Sequence, residues 1–401
     1  MRYFSFLLIA MTLLSCDKND TEFLTFGTYR AELQVSDGVQ LPFTFKVKDA
    51  NTLEIYNADE VIKVDEIEYK NDSVYIKLPV FEGLLIAKIK DQTLNGRFVV
   101  KQKNRQQIFT ASKNKSRFEN STKAKTNISG DWKTVFSPNT DDSYVAKGVF
   151  KQKDNLVTGT FLTNTGDYRY LEGVVNGNQL KLSTFDGAHA FLFTATVTDS
   201  TINGQFYSGN HWKEPFTAKR SDNYTLANPN DLTVLKDGYD TLAFTFPDAN
   251  GNQVSLTDDR FKNKVVIVQI MGTWCPNCLD ESKYYAEYYK NNKDKELEVV
   301  ALAFEYAKTQ DKAFSFIKRL QDRLEITYPI LLAQTGTTSK AKANEKLPML
   351  NHVLSYPTSI FIDKTGKVRK IHTGFNGPAT GDKFTEFKTE FNAFVNKLLE
   401  E

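Results

Sequence analysis

Cysteine is scarce in this chain: 401 residues contain only Cys16, Cys275 and Cys278. Three cysteines exclude a scaffold stapled by disulfides, even in a compartment where disulfides persist. Histidine is nearly as rare, with His189, His211, His352 and His372. None of the four has the cysteine, histidine or acidic companions at ligand spacing that a structural zinc site brings. One-signed charge is missing too: 51 basic against 49 acidic residues leave +2, with no lysine or arginine stripe. That excludes the electrostatic footprint of a nucleic-acid binder. No apolar run approaches the roughly 20 residues needed to span a bilayer. What is there is 40% hydrophobic and 25% charged residues, the composition of two or three globular domains with real cores rather than of a disordered chain.

The longest apolar run, FSFLLIAMTLLS, follows Arg2 and stops at Cys16, which is the pattern of an export signal. Leu13-Leu14-Ser15-Cys16 resembles the lipobox of bacterial lipoproteins, which implies cleavage after residue 15 and acylation of Cys16. Residues 16–22 then read as a polar tether holding soluble domains off a lipid surface. The expected location is the envelope of a Gram-negative-type bacterium, lipid-anchored and either periplasmic-facing or surface-exposed.

The composition divides near residue 225. Before it, short segments such as SVYIKLPV alternate apolar with polar residues between Gly, Asn, Asp and Thr, the signature of antiparallel strands. A repeat runs through this half: DQTLNGRF from Asp91 returns as DSTINGQF from Asp199, FTAS from Phe109 as FTAK from Phe216, and Phe81-Glu82-Gly83 as Phe185-Asp186-Gly187. Gly27-Thr28-Tyr29 likewise answers Gly130-Asp131-Trp132. The spacing exceeds solenoid periods, so each unit is expected to be a small sandwich or barrel, or half of a shared one. We expect β-rich modules at 23–114 and 127–220, with linkers at 115–126 and 221–234. Trp132, Tyr168, Tyr170, Tyr207 and Trp212 read first as packing and secondly as a binding face.

From 235 to 401 strands and helices alternate, as in an α/β sheet. VVIVQI is a continuous apolar run of the kind found in buried central strands. LEVVALAF, TSIFID and KVRKIHTG read as further strands. LDESKYYAEYYKN, QDKAFSFIKRLQDRL and DKFTEFKTEFNAFVNKLLEE read as helices, the last with Phe384, Phe387, Phe391, Phe394 and Leu398 in one apolar stripe. Cys275-Pro276-Asn277-Cys278 falls where the central strand passes into the first helix. Unsatisfied N–H groups and the positive helix end stabilise a thiolate there, lowering a pKa of about 8.5 toward roughly 3.5 to 7.5. Cys275 is therefore the expected nucleophile, exposed at the junction, and Cys278 one turn later the resolving thiol. Pro276 suits a first turn that needs no N–H.

With VVIVQIMGTWCPNC and YPTSIFIDKTGKVRKIHTG, the segment 235–401 resembles the TlpA-like thiol-disulfide oxidoreductases, which have a thioredoxin-like fold. The resemblance implies a protein disulfide oxidoreductase with no cofactor beyond the Cys275–Cys278 pair and no metal. Protein or small thiol and disulfide substrates and a membrane or periplasmic electron donor are implied with it. It also implies a cis proline at Pro357, after Tyr356, presenting backbone to substrate, and Trp274 shaping the docking surface beside Pro276. Thioredoxins carry a buried aspartate where this chain has Gln269. Glu281 matches an acidic position of some extracytoplasmic members, so we expect it to assist deprotonation of Cys278 or polarise the site, against a surface carboxylate favoured by the helix dipole. Neutral Asn277 favours a reductase over an oxidase. Copper-delivery relatives of this fold use CxxxC rather than CxxC. Two alternatives stand beside this one: a thioredoxin-fold peroxidase, whose usual threonine is not reproduced around Thr273, and a lipoprotein whose β modules bind a ligand or partner.

Overall fold

The computed structural model describes residues 22–401; Cys16 and the apolar run before it lie outside the described residues. The first β unit is a nine-stranded antiparallel sheet between Gly27 and Lys113. Burial alternates along each strand, as in Gly27–Ser36, because successive side chains point to opposite faces. Its inner face gathers Tyr29, Phe43, Phe45 and Phe109. The first strand returns to pair with the last, Tyr29 opposite Lys113 and Leu33 opposite Phe109. The sheet stays open between its two outermost strands, Glu60–Val64 and Glu66–Lys70, which meet at Asp65.

The second unit, Gly130–Arg220, closes. Eight strands run from Gly130–Phe136 round to Trp212–Arg220 and back, since Tyr144–Lys153 pairs with Leu156–Thr163 on one side and Trp132 stands opposite Arg220 on the other. Trp132, Phe136, Phe161 and Phe193 fill the interior. A ninth, two-residue strand, Gly166–Asp167, folds back on Leu162–Thr163. Gly96 and Gly204, which fall within the segments DQTLNGRF and DSTINGQF, face Ala87 and Ala195 respectively across a hairpin. A Cβ at either would run into the carbonyl of the neighbouring strand, so only glycine permits that approach.

The two segments expected to be linkers are docked. Arg117 is 6% exposed, donating to the Tyr56 carbonyl and to the Ser183 carbonyl and hydroxyl, which ties the first unit to the second. Phe185 of the second unit in turn packs 4.4 Å from Phe43 of the first. In the later segment Thr373 N–H donates to the Pro229 carbonyl and Val234 N–H to Asn351. Polar composition hid both attachments because most of the contacts are hydrogen bonds, with Phe118 the buried apolar side chain of the first segment.

The C-terminal domain has a five-stranded sheet in the order Ile330–Gln334, Leu297–Phe304, Val265–Met271, Thr358–Ile362, Val368–Thr373, the first three parallel and the last two antiparallel to their neighbours. Four helices accompany it: α1 (Pro276–Asn292), α2 (Gln310–Leu324), α3 (Lys340–Lys346) and α4 (Asp382–Glu400). Every residue of the central strand is buried. α4 buries Phe387, Phe391, Val395 and Leu398, while Phe384 and Phe394 lie at the margin of its stripe. The open joint of the first sheet lies against this domain: Arg319 of α2 forks onto Glu66, and Arg323 onto Asp65.

Candidate active site

The central strand delivers the chain to a turn, Gly272–Trp274, held from several sides. Both oxygens of buried Glu305 accept from Thr273, one from its N–H at 2.7 Å and one from its hydroxyl at 2.8 Å. The Trp274 indole N–H donates to the Phe304 carbonyl at 2.9 Å, and its ring meets Tyr356 edge-on. α1 then starts with Cys275 as N-cap and Pro276 in the first turn. Cys275 and Cys278 are joined in a disulfide, Cα atoms 5.2 Å apart. The Cys278 N–H points at the Cys275 Sγ, 3.2 Å away, so in the reduced state a thiolate there would receive both a hydrogen bond and the positive end of α1. Opposite, the Tyr356–Pro357 bond is cis, and the Tyr356 carbonyl oxygen lies 3.4 Å from Cys275 Sγ.

Beneath the pair, Glu281 is fully buried, which removes the surface-carboxylate alternative. It accepts from Gln269 Nε2 at 2.8 Å, from Ser359 Oγ at 2.9 Å and from the Tyr285 hydroxyl at 3.3 Å. The strand position at which thioredoxins carry an acid is neutral here, and the acid arrives instead from α1, one turn beyond Cys278. Burial pushes the Glu281 carboxyl up to about 7 against those three hydrogen bonds. Burial does the same to Glu305, also to about 7, against the two from Thr273.

These two carboxyls make stability fall with rising pH. Each is raised from an ordinary 4.5, so the folded chain holds more protons than the unfolded one between roughly pH 4.5 and 7. The contribution is complete below that window and is lost as pH rises through it, about 3 kcal/mol for each group. Urea midpoints at pH 5 and pH 8 measure it. Glu281→Gln and Glu305→Gln are each expected to flatten the slope, and an unchanged slope in both would refute the assignment.

Cys275 is not exposed as the sequence suggested: it is 6% exposed. The second β unit reaches over the site. Asn277 Nδ2 donates to the Asp167 carbonyl at 3.2 Å, Ser355 Oγ donates to the Thr165 carbonyl at 2.9 Å, and the Asp167 carboxylate accepts from Gly377 N–H at 2.7 Å. Two residues on, Arg169 is 2% exposed and its guanidinium contacts Glu60 of the first unit, Asp186 of the second and Asp280 of α1. Burial alone would raise Asp186, but His189 and Arg169 outweigh it and hold the carboxyl down at about 2.

Reasoning from sequence missed Asp167, Arg169 and Glu305. Glu305 carried a signal, an acid directly after the wholly buried strand LEVVALAF, which ends in six consecutive apolar residues, where a charge needs a reason. Asp167 and Arg169 carried none, because the partners that bring them to the site, Asn277 and Gly377 for the one and Glu60 and Asp280 for the other, are more than 100 positions away. Two of the four histidines pack against neighbours: His372 meets Asn230 and the Phe387 ring, and His189 meets Asp186 and stacks on Phe191. Among the described residues no group of three His, Cys, Asp or Glu side chains is gathered to hold a metal ion.

The Redoxin family model matches residues 236–388. Thiol-disulfide oxidoreductase ResA of Bacillus cereus is 30% identical over 138 residues, 34% of this chain and 70% of that protein. Thioredoxin-like protein YneN of Bacillus subtilis is 29% identical over 140 residues, 35% of this chain and 73% of the relative. A ResA of Bacillus thuringiensis is matched over 66% of its length, so the chain spans about two thirds to three quarters of these curated relatives. A solved thiol-disulfide oxidoreductase from Bacteroides fragilis is 20% identical with a TM-score of 0.27, covering 37% of this chain and 99% of that one.

Proposed function

Because this chain belongs to the TlpA- and ResA-like thiol-disulfide oxidoreductases, we propose that it is a lipid-anchored protein disulfide reductase of the bacterial cell envelope, with Cys275 as nucleophile and Cys278 as resolving thiol. The observation that carries the mechanism is the Cys275 Sγ at the N-cap of α1, receiving the Cys278 N–H and facing the Tyr356 carbonyl. In the reduced protein the Cys275 thiolate attacks one sulfur of a substrate disulfide, and the other substrate sulfur leaves with the bonding pair. Cys278, as thiolate, then attacks Cys275 and releases the second substrate thiol. Two electrons pass to the substrate, and the protein ends as the disulfide. An envelope dithiol must reduce it again.

Glu281 accepts the Cys278 proton in this scheme. Its carboxyl at about 7 is close to an ordinary thiol of about 8.5, and both groups are buried on one helix a turn apart. Tyr356 and Pro357 position the substrate backbone, and Trp274 and Pro276 border it. The direction toward reduction rests on neutral Asn277, whose amide donates to Asp167 rather than to a sulfur. We also propose Cys16 as the lipidated residue, 23–114 and 127–220 as two related β modules and 235–401 as the redox domain.

Trapping tests the scheme. Cys278→Ser should hold envelope substrates on Cys275 as adducts that dithiothreitol dissolves, and the double Cys275→Ser, Cys278→Ser variant should hold none. Empty traps alongside a wild-type protein that still cycles would reject it.

A further inference from the structure

Between the second β unit and the C-terminal domain lies a cavity of about 1120 Å³ with Cys275, Pro276 and Asn277 on its floor. It is larger than the roughly 300 to 1,000 Å³ of drug-sized ligand sites. One wall is Trp274 and Tyr356; the other, from the second unit, includes Tyr168, Phe191, Phe206 and Trp212. Trp212 is 51% exposed, a large aromatic side chain about half open to solvent. At 6% exposure, Cys275 cannot meet the surface of a folded domain. A substrate has to bring its disulfide down on a narrow, extended segment.

The charges in this cavity are unequal in what they have left to offer. Its two acids are occupied: Asp167 accepts from the Gly377 and Arg169 N–H groups, and Glu214 accepts from the Ser137 and Tyr144 hydroxyls at 2.5 and 2.8 Å. Its two lysines are exposed and make no ion pair among the described residues. Lys103, from the first unit, stands over the ring of Trp274, the residue before Cys275, at 5.7 Å. Lys340 opens α3. Aromatic faces and unpaired ammonium groups therefore converge on one disulfide.

We propose that the second β unit is the far wall of the substrate groove, and that the groove selects extended peptide segments whose disulfide-bonded cysteine lies among apolar and acidic residues. This rests on the disulfide-exchange assignment above. The step is the same exchange: a bond forms between Cys275 and the peptide sulfur, the peptide's own S–S bond breaks, and its former partner leaves as a thiolate that takes a proton from water. Cys278 then closes the protein disulfide and frees the peptide thiol. Protein reduced beforehand supplies both electrons in a single turnover.

The test compares two tetrapeptides, Asp-Phe-Cys-Asp and Lys-Phe-Cys-Lys, each joined through its cysteine to 2-mercaptoethanol, with bis(2-hydroxyethyl) disulfide as a third substrate. The readout is the ratio of the two peptide rate constants within each protein, so that any change in thiol reactivity cancels. In the wild-type protein the acidic peptide should react at least tenfold faster, about 1.4 kcal/mol. Lys103→Glu with Lys340→Glu, both exposed and so tolerant of change, should invert the ratio. Trp212→Ala should shrink the advantage of the acidic peptide over a variant with serine in place of its phenylalanine. Equal rates in the wild type, a preference for the lysine peptide, or a ratio indifferent to charge reversal overturns the groove. Failure to reduce even bis(2-hydroxyethyl) disulfide overturns the exchange assignment beneath it.

Discussion

Cys275→Ser is expected to abolish disulfide exchange, lowering the rate by on the order of 10³-fold or more, the scale on which loss of a nucleophile is felt. A serine hydroxyl is not ionised near neutral pH and cannot form the mixed disulfide through which exchange proceeds. The fold should survive. Cys275 is the N-cap of α1, where its sulfur meets the Cys278 N–H, and serine is among the preferred residues there. The cross-link lost spans only three positions and contributes about 2 kcal/mol on a loop-closure estimate. Comparison with the reduced wild-type protein removes even that difference. The measurement is the rate of insulin or glutathione disulfide reduction together with the circular dichroism spectrum. Retained activity in a folded Cys275→Ser protein would reassign the nucleophile.

Arg169→Met should cost about 3 to 5 kcal/mol, the range for removing one partner from a buried ionic cluster. Glu60, Asp186 and Asp280 all converge on this guanidinium with side chains at most 11% exposed. Without it three carboxylates face one another with little water to screen them. The loss should be read from urea unfolding at pH 7, and it should shrink toward pH 4 as the stranded acids take up protons. Because the cluster joins both β units to α1 just past Cys278, alkylation of Cys275 in the reduced variant should also quicken. A loss under about 1 kcal/mol would mean that water reaches the cluster. Arg169→Lys should recover only part of the stability, since one ammonium cannot serve three separated carboxylates.

The redox domain could be foreseen where its pattern is local. VVIVQI, LEVVALAF and QDKAFSFIKRLQDRL announce their strands and helix by near-continuous or periodic apolar residues, and each forms within a residue or two of expectation. Ile330–Gln334 escaped because a run of four apolar residues after Tyr328-Pro329 does not by itself tell strand from loop. α3 escaped because KAKANEK buries only Ala343 and has no stripe. At the site, CxxC spacing and the strand-to-helix setting were enough to single out Cys275 and Cys278. The surroundings were legible in proportion to their distance along the chain. Glu281, six residues from Cys275, could be named but not located as buried. Asp167 and Arg169 could not be named at all, since they become part of the site only when a β hairpin from another unit is laid across it.

The pairing of α2 with the open joint of the first sheet bears on solubility as well as on assembly. An unclosed antiparallel sheet presents free N–H and C=O groups along its outer strands, a template onto which another chain can add. Here those strands are five residues each and meet at Asp65, and the fork of Arg323 on Asp65 and of Arg319 on Glu66 and the Leu78 carbonyl pins the meeting point to a helix of the other domain. The redox domain thus covers the corner at which the first sheet is left unclosed, in the place where a paired strand would otherwise stand.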